Sequence, residues 1–137
     1  QEFNSYHYEL NRKVPLLIWT KDQVVQGEVD KVMGMYDVMP TLGNMLGFYN
    51  RYALGHDIFE VEGDNIVVFP NGNWLTDKVY YNSQKGEYMS LKEEVISDDY
   101  IRENNEYTET LLDISNNMIV FDLLNPNKGE VAVDQTE

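Results

Sequence analysis

The run Val14-Pro15-Leu16-Leu17-Ile18-Trp19 restricts the folding options of this chain more than any other segment. It is too short for a stable helix, and it carries no polar residue at alternate positions. As a strand it would show apolar side chains on both faces, which suits a parallel sheet covered on both sides. Pro15 is compatible with this only near the strand's beginning or at an unpaired edge. The sequence therefore predicts a strand of an α/β core at 14–19, and such a strand needs neighbours. If the neighbouring parallel strands lie elsewhere, the run is bared as an apolar edge.

The segments after this run set the rest of the architecture. Lys21 to Asp30 is polar, contains Gly27 and reads as a loop. Met35 to Phe48 reads as a helix starting near Asp37, with Asp37 as N-cap and Pro40 in the first turn, where no helical hydrogen bond is lost. Leu42, Met45 and Leu46 share one face as the expected buried stripe, and Gly47 is the stop. Near residue 65 the hydrophobic period changes. Ile66–Phe69, Trp74–Asn82 and Glu87–Leu91 read as a three-stranded antiparallel meander, with Pro70-Asn71-Gly72-Asn73 and Ser83-Gln84-Lys85-Gly86 as its turns. Asp77 and Lys78 interrupt the middle strand. Ser97-Asp98-Asp99 then opens a long helix with a hydroxyl cap and acids in its first turn. Its stripe is Tyr107, Leu111, Ile114, Met118 and Phe121, and Pro126 forces its end near Leu124. Asn127 to Glu137 reads as a frayed tail.

Composition excludes several functions. With 24 acidic and 10 basic residues the net charge is −14, so unassisted attraction to nucleic acid or to anionic lipid is disfavoured. Acid crowds the region after Glu93, where only Arg102 and Lys128 are basic, and this reads as a solvated face and tail. The absence of cysteine removes disulfides, thiolate metal sites and cysteine nucleophiles together. No run approaches the length of a membrane span. The polar start, Gln1-Glu2-Phe3-Asn4-Ser5-Tyr6, is unlike a signal peptide and predicts a segment taken from inside a longer protein.

The search for chemistry yields no catalytic, cofactor-binding or metal-binding residue. His7 and His56 lack metal-ligand spacing, and His56 reads as a surface or packing residue. Asp57 follows it directly, but neighbours on an extended chain point apart, so Asp57 reads as a turn cap. Ser5, Ser83, Ser90, Ser97 and Ser115 lie in polar, turn or cap contexts, and none occupies a nucleophile elbow. Gly43 and Gly47 belong to the helix pattern rather than to a phosphate loop. Trp74, Tyr80 and Tyr81 read as sheet packing, with a carbohydrate-stacking surface as the alternative.

The order of five segments is more specific than any one of them. Val14-Pro15-Leu16-Leu17-Ile18 precedes Asp37-Val38-Met39-Pro40-Thr41-Leu42, then Met45-Leu46-Gly47. Leu54-Gly55-His56-Asp57-Ile58-Phe59 follows, and then Val67-Val68-Phe69-Pro70-Asn71-Gly72-Asn73-Trp74-Leu75-Thr76. This succession resembles the last third of the extracellular domain of lipoteichoic acid synthase-like phosphoglycerol transferases, within the sulfatase and alkaline phosphatase superfamily. It covers about residues 12 to 124.

The resemblance implies an α/β class (α+β for this portion alone). Residues 1–64 would be the C-terminal end of a sulfatase-like α/β core, and 65–137 a small antiparallel sheet with a C-terminal helix. It further implies a membrane-anchored enzyme at the outer face of a bacterial membrane. There a threonine nucleophile beside manganese or magnesium takes glycerol phosphate from phosphatidylglycerol and passes it to a growing polymer. The family's nucleophile and acidic metal ligand lie upstream of the matching segments, and its Asp-His metal pair precedes the Val-Pro-Leu-Leu-Ile strand. Glu2 to Lys13 contains no Asp-His dipeptide, and Tyr6-His7-Tyr8 does not match it. No site residue transfers, and Asp37 and Asp57 take structural roles. The implied partners are the rest of the catalytic domain and, through it, lipid donor and polymer. Self-association through exposed strand edges is a further expectation. Two rival readings are a non-catalytic binding module and a sulfatase or phosphoethanolamine transferase.

Overall fold

The meander forms because short apolar runs alternate with residues that reverse the chain. The computed structural model describes residues 5–11, 13–21 and 27–125. Its elements are helix α1 (Ser5–Leu10), a 3-10 turn (Met35–Asp37), helix α2 (Val38–Leu46), strands β1 (Val67–Val68), β2 (Trp74–Leu75), β3 (Val79–Asn82) and β4 (Glu87–Ser90), and helix α3 (Asp98–Val120). The class is mixed α/β, an antiparallel four-stranded sheet of order β1-β2-β3-β4 together with helices. The chain groups into two compact units, each discontinuous in sequence: 1–33 with 58–94, and 34–57 with 95–137.

The first unit holds the sheet. Val67 pairs with Leu75 and Val68 with Trp74; Trp74 in turn faces Tyr81, and Leu75 faces Tyr80. The expected single strand from Trp74 to Asn82 is two strands. Thr76 reverses the chain between them: its N–H donates to the Val79 carbonyl, and its buried hydroxyl accepts the N–H groups of Lys78 and Val79. A threonine hydroxyl thus supplies the turn bonds that glycine or asparagine supplies elsewhere in this sheet. The core is Ile58, Ile66, Val67, Val68, Trp74, Val79 and Tyr80, all buried. Trp74 is fully enclosed and stacks on Tyr81 with ring centroids 5.2 Å apart. Burying such a ring contributes about 2–3 kcal/mol. Tyr6 of α1 lies 5.4 Å from the Tyr80 ring. The segment before residue 34 is tied to the sheet region by Val32 N–H donating to Asp77 Oδ1 at 2.9 Å and by Asn65 Nδ2 donating to the Val32 carbonyl at 3.0 Å.

The expected strand at 14–19 is absent: residues 13–20 have no regular secondary structure. Leu17 is 88% exposed and Trp19 78%, and Val14, Leu16 and Ile18 are exposed as well. A strand exists only through its ladder, and no described residue pairs with this run. The apolar edge is bare.

In the second unit, α2 starts at Val38 behind Asp37, as expected, and stops at Gly47, which is left-handed (φ 75°) while Phe48 N–H donates to the Gly43 carbonyl. The expected stripe of α2 is only partly covered, with Leu42 and Met45 half-buried. Leu46 is 71% exposed, and the buried residues are Thr41 and Gly43. A β-carbon at Gly43 would meet the Phe48 carbonyl oxygen at 2.6 Å, so the returning chain needs glycine there. Helix α3 is capped by Ser97, whose hydroxyl accepts Tyr100 N–H at 3.2 Å, and Asp98 and Asp99 occupy its first turn. It ends at Val120, before the expected Leu124. Leu123 N–H reaches back to Met118 and Asp122 N–H to Ile119, with Asp122 left-handed at φ 51°. This is a Schellman closure with aspartate where glycine is usual. Ile114 and Phe121 of its expected buried stripe are exposed, and Thr108 is its buried residue. The expected tail, 127–137, lies outside the described residues.

Candidate functional site

Two of the segments singled out by their order in the sequence, 37–42 and 54–59, meet at one buried group, the carboxylate of Asp37. Asp37 is fully buried in the second unit. Its Oδ2 accepts Gly34 N–H at 2.8 Å, closing the 3-10 turn, and its Oδ1 accepts His56 N–H at 2.8 Å. Its backbone carbonyl accepts the Thr41 hydroxyl at 2.7 Å. Asp37 is the N-cap residue of α2, as expected, but its side chain makes no cap bond to that helix and instead bonds backward to residue 34 and across to residue 56. Two backbone donors meet the buried carboxylate, and each such charge-assisted bond is worth about 1.5–3 kcal/mol.

Gly55 makes this approach possible. A β-carbon there would lie 2.3 Å from the Tyr36 carbonyl oxygen and 2.6 Å from Asp37 Oδ1. The Leu54-Gly55-His56-Asp57 segment thus lies against the 3-10 turn closely enough that only glycine fits. Asp57 is tied to the same helix by a hydrogen bond from the Asn44 amide, rather than simply capping a turn.

His56 faces α3. Its Nε2 lies 3.1 Å from the Tyr107 hydroxyl, with the rings 6.0 Å apart and tilted by 30°. Burial first, and the negative charge of Asp37 second, push the Tyr107 pKa up. The phenol therefore keeps its proton throughout the neutral range and serves as a hydrogen-bonding group.

This cluster holds segments of the chain together. Both Asp37 oxygens meet backbone N–H groups, the Thr41 hydroxyl donates to a backbone carbonyl, and the His56 ring meets a phenol. Among the described residues there is no group of three or more His, Cys, Asp or Glu side chains placed to hold a metal ion. Sequence reasoning noted Asp37 and His56 but missed Gly55, Thr41 and Tyr107 as their partners. The Leu-Gly-His-Asp succession was the available signal for Gly55, while nothing in the sequence links Tyr107 to His56. The alternative of a sugar-stacking surface loses its main platform, because Trp74 is fully buried and Tyr80 nearly so.

Comparison with curated proteins gives a relative for this chain. The chain is 31% identical over 103 residues to lipoteichoic acid synthase 1 of Bacillus subtilis (strain 168). The match takes in 69% of this chain and 16% of that protein, so the chain corresponds to a limited part of its relative. No model of a known protein family matches, and no solved structure does. Among the described residues, no helix is long and apolar enough to cross a membrane.

Proposed function

We propose that this chain is the C-terminal part of the extracellular catalytic domain of a membrane-anchored, lipoteichoic acid synthase-like phosphoglycerol transferase that builds a cell-envelope polymer. The observation that carries the reading is the 31% identity over 103 residues to lipoteichoic acid synthase 1. The geometry supports it from a second side: the motif segments around Asp37 and around Gly55-His56 are joined through one buried carboxylate, so their order in the sequence has a structural reason.

In this reading residues 1–64 end an α/β core and 65–137 form its appended sheet and helix. The threonine nucleophile, the manganese or magnesium ion beside it, and the sites for phosphatidylglycerol and polymer belong to other parts of the enzyme. The bare run Val14–Trp19 is where this portion joins that remainder as a strand of its sheet. By itself the chain is inactive toward phosphodiesters.

A chimaera tests the proposal. The matching stretch of lipoteichoic acid synthase 1 is replaced by this chain, and glycerol-phosphate polymer is measured in cells that depend on the product. Restored polymer is the expected result. A chimaera that accumulates normally and makes none would sink the assignment, and a sulfatase or phosphoethanolamine-transfer activity appearing instead would identify the reaction that replaces it.

A further inference from the structure

The turn between β1 and β2 contains the pair Asn71-Gly72, in which the backbone nitrogen of glycine can attack the asparagine side chain with little steric hindrance. The attack forms a C–N bond between Gly72 N and Asn71 Cγ, the Gly72 N proton is lost, and the side-chain amide leaves as ammonia. Water then opens the cyclic imide at either carbonyl, giving aspartate or isoaspartate. Only water is consumed, and no oxidant or cofactor takes part.

The fold holds each reacting group elsewhere. Gly72 N–H donates to the Phe69 carbonyl at 2.9 Å, and Phe69 N–H to the Asn73 carbonyl at 2.8 Å, a three-residue loop with Gly72 left-handed at φ 84°. The electrophile is tethered as well, since Asn71 Oδ1 accepts Asn73 N–H at 3.1 Å. The peptide link between them is pinned from the next turn, where the Ser83 hydroxyl donates to the Asn71 carbonyl at 3.2 Å. A β-carbon on Gly72 would sit 2.8 Å from that same Ser83 oxygen. Asn71 itself is exposed, so water reaches it.

We propose that Asn71 is a fold-gated deamidation site, slow in the folded sheet and fast once the β1–β2 turn opens. The product is not neutral for the fold. Isoaspartate lengthens the main chain by one methylene directly before Gly72, one residue ahead of Asn73, whose buried amide bonds Tyr80 Oη at 3.0 Å and Ser83 N–H at 2.9 Å. Reaction in an opened chain therefore marks it and hinders its return.

The test follows the small mass gain of amide to acid, and isoaspartate at residue 71 by peptide mapping, at mildly alkaline pH. The intact chain is incubated folded and in concentrated urea. Conversion at Asn71 is expected to be about tenfold or more faster in urea, the factor that corresponds to roughly 1.4 kcal/mol of local restraint. Equal rates, or a faster native rate, overturn the proposal. Ser83→Ala, confirmed as folded by circular dichroism, should raise the native rate severalfold and leave the rate in urea unchanged. An unchanged native rate in that variant overturns the pinning by Ser83.

Discussion

Replacing Gly55 by alanine tests the joint at Asp37 with a single methyl group. The new carbon would lie 2.3 Å from the Tyr36 carbonyl oxygen and 2.6 Å from both the Tyr36 carbonyl carbon and Asp37 Oδ1. Carbon and oxygen tolerate about 3.3 Å, so the 54–57 segment must retreat by about 1 Å. The bond from His56 N–H to Asp37, now 2.8 Å, does not survive such a shift. Losing a bond to a buried carboxylate costs about 1.5–3 kcal/mol, and the forced repacking about 1–3 kcal/mol more. A total loss of about 3–5 kcal/mol is expected, a large share of a domain's usual 5–15 kcal/mol. Urea unfolding resolves where the loss falls. The far-ultraviolet helical signal follows α3 in the second unit, whereas the enclosed Trp74 reports on the first. Gly27→Ala is the control, because nothing lies near its added carbon, and it should change stability by less than about 0.5 kcal/mol. Combined with Asp37→Asn, the Gly55 substitution should cost much less than the two singles added together, since both break one contact. A loss below about 1 kcal/mol for Gly55→Ala, or full additivity with Asp37→Asn, would refute the close-approach argument.

Further outcomes follow from other contacts. Thr108 is 3% exposed and its hydroxyl finds no partner among the described residues, so Thr108→Val should stabilise by about 1 kcal/mol in the same urea assay. Asp122→Gly removes a left-handed aspartate from the acid-disfavouring end of α3 and should add about 0.5–1 kcal/mol, measured as a higher thermal midpoint. The raised Tyr107 pKa means that the fold prefers the neutral phenol. Its contribution is complete below pH 10, the unfolded value, and is lost as pH rises through the higher folded value. Ultraviolet titration should show a late-ionising phenol that Tyr107→Phe abolishes, and the variant's stability should fall less steeply above pH 10. The bare run should make the purified chain associate with rising concentration, and Leu17→Glu should weaken that association in light scattering.

The elements legible in the sequence were those set by neighbours within a few positions. Ser97 with its following acids announced the start of α3, and Gly47 announced the end of α2, because capping and left-handed backbone are local chemistry. Asp77 and Lys78 mark an interruption in the strand, but the reversal at Thr76 is not legible there because it depends on a hydroxyl folding back on Lys78 and Val79, which neither glycine nor proline marks. The stripes on α2 and α3 had the right period, yet Leu46 and Phe121 remain in solvent, since periodicity names a face and only a partner covers it. Asp37 shows the same limit for polar groups. Its position before a helix fits a cap, but its choice of Gly34 and His56 is made by a contact nineteen positions away. The bond between His56 and Tyr107, fifty-one positions apart, left no local trace at all.

The two units should also respond differently to temperature. The first buries Ile58, Ile66, Val67, Val68, Trp74, Val79 and Tyr80 beside the polar Asn65, Asn73 and Thr76, whereas among the described residues the buried side chains of the second are Asp37, Thr41 and Thr108, all polar. Exposing apolar surface raises the heat capacity of unfolding and exposing polar surface lowers it. The sheet-bearing unit should therefore have the more sharply curved stability profile and weaken more on cooling. The unit built around the Asp37 carboxylate should have the flatter one, keeping its hydrogen-bonded joint in the cold while the Trp74 core loosens.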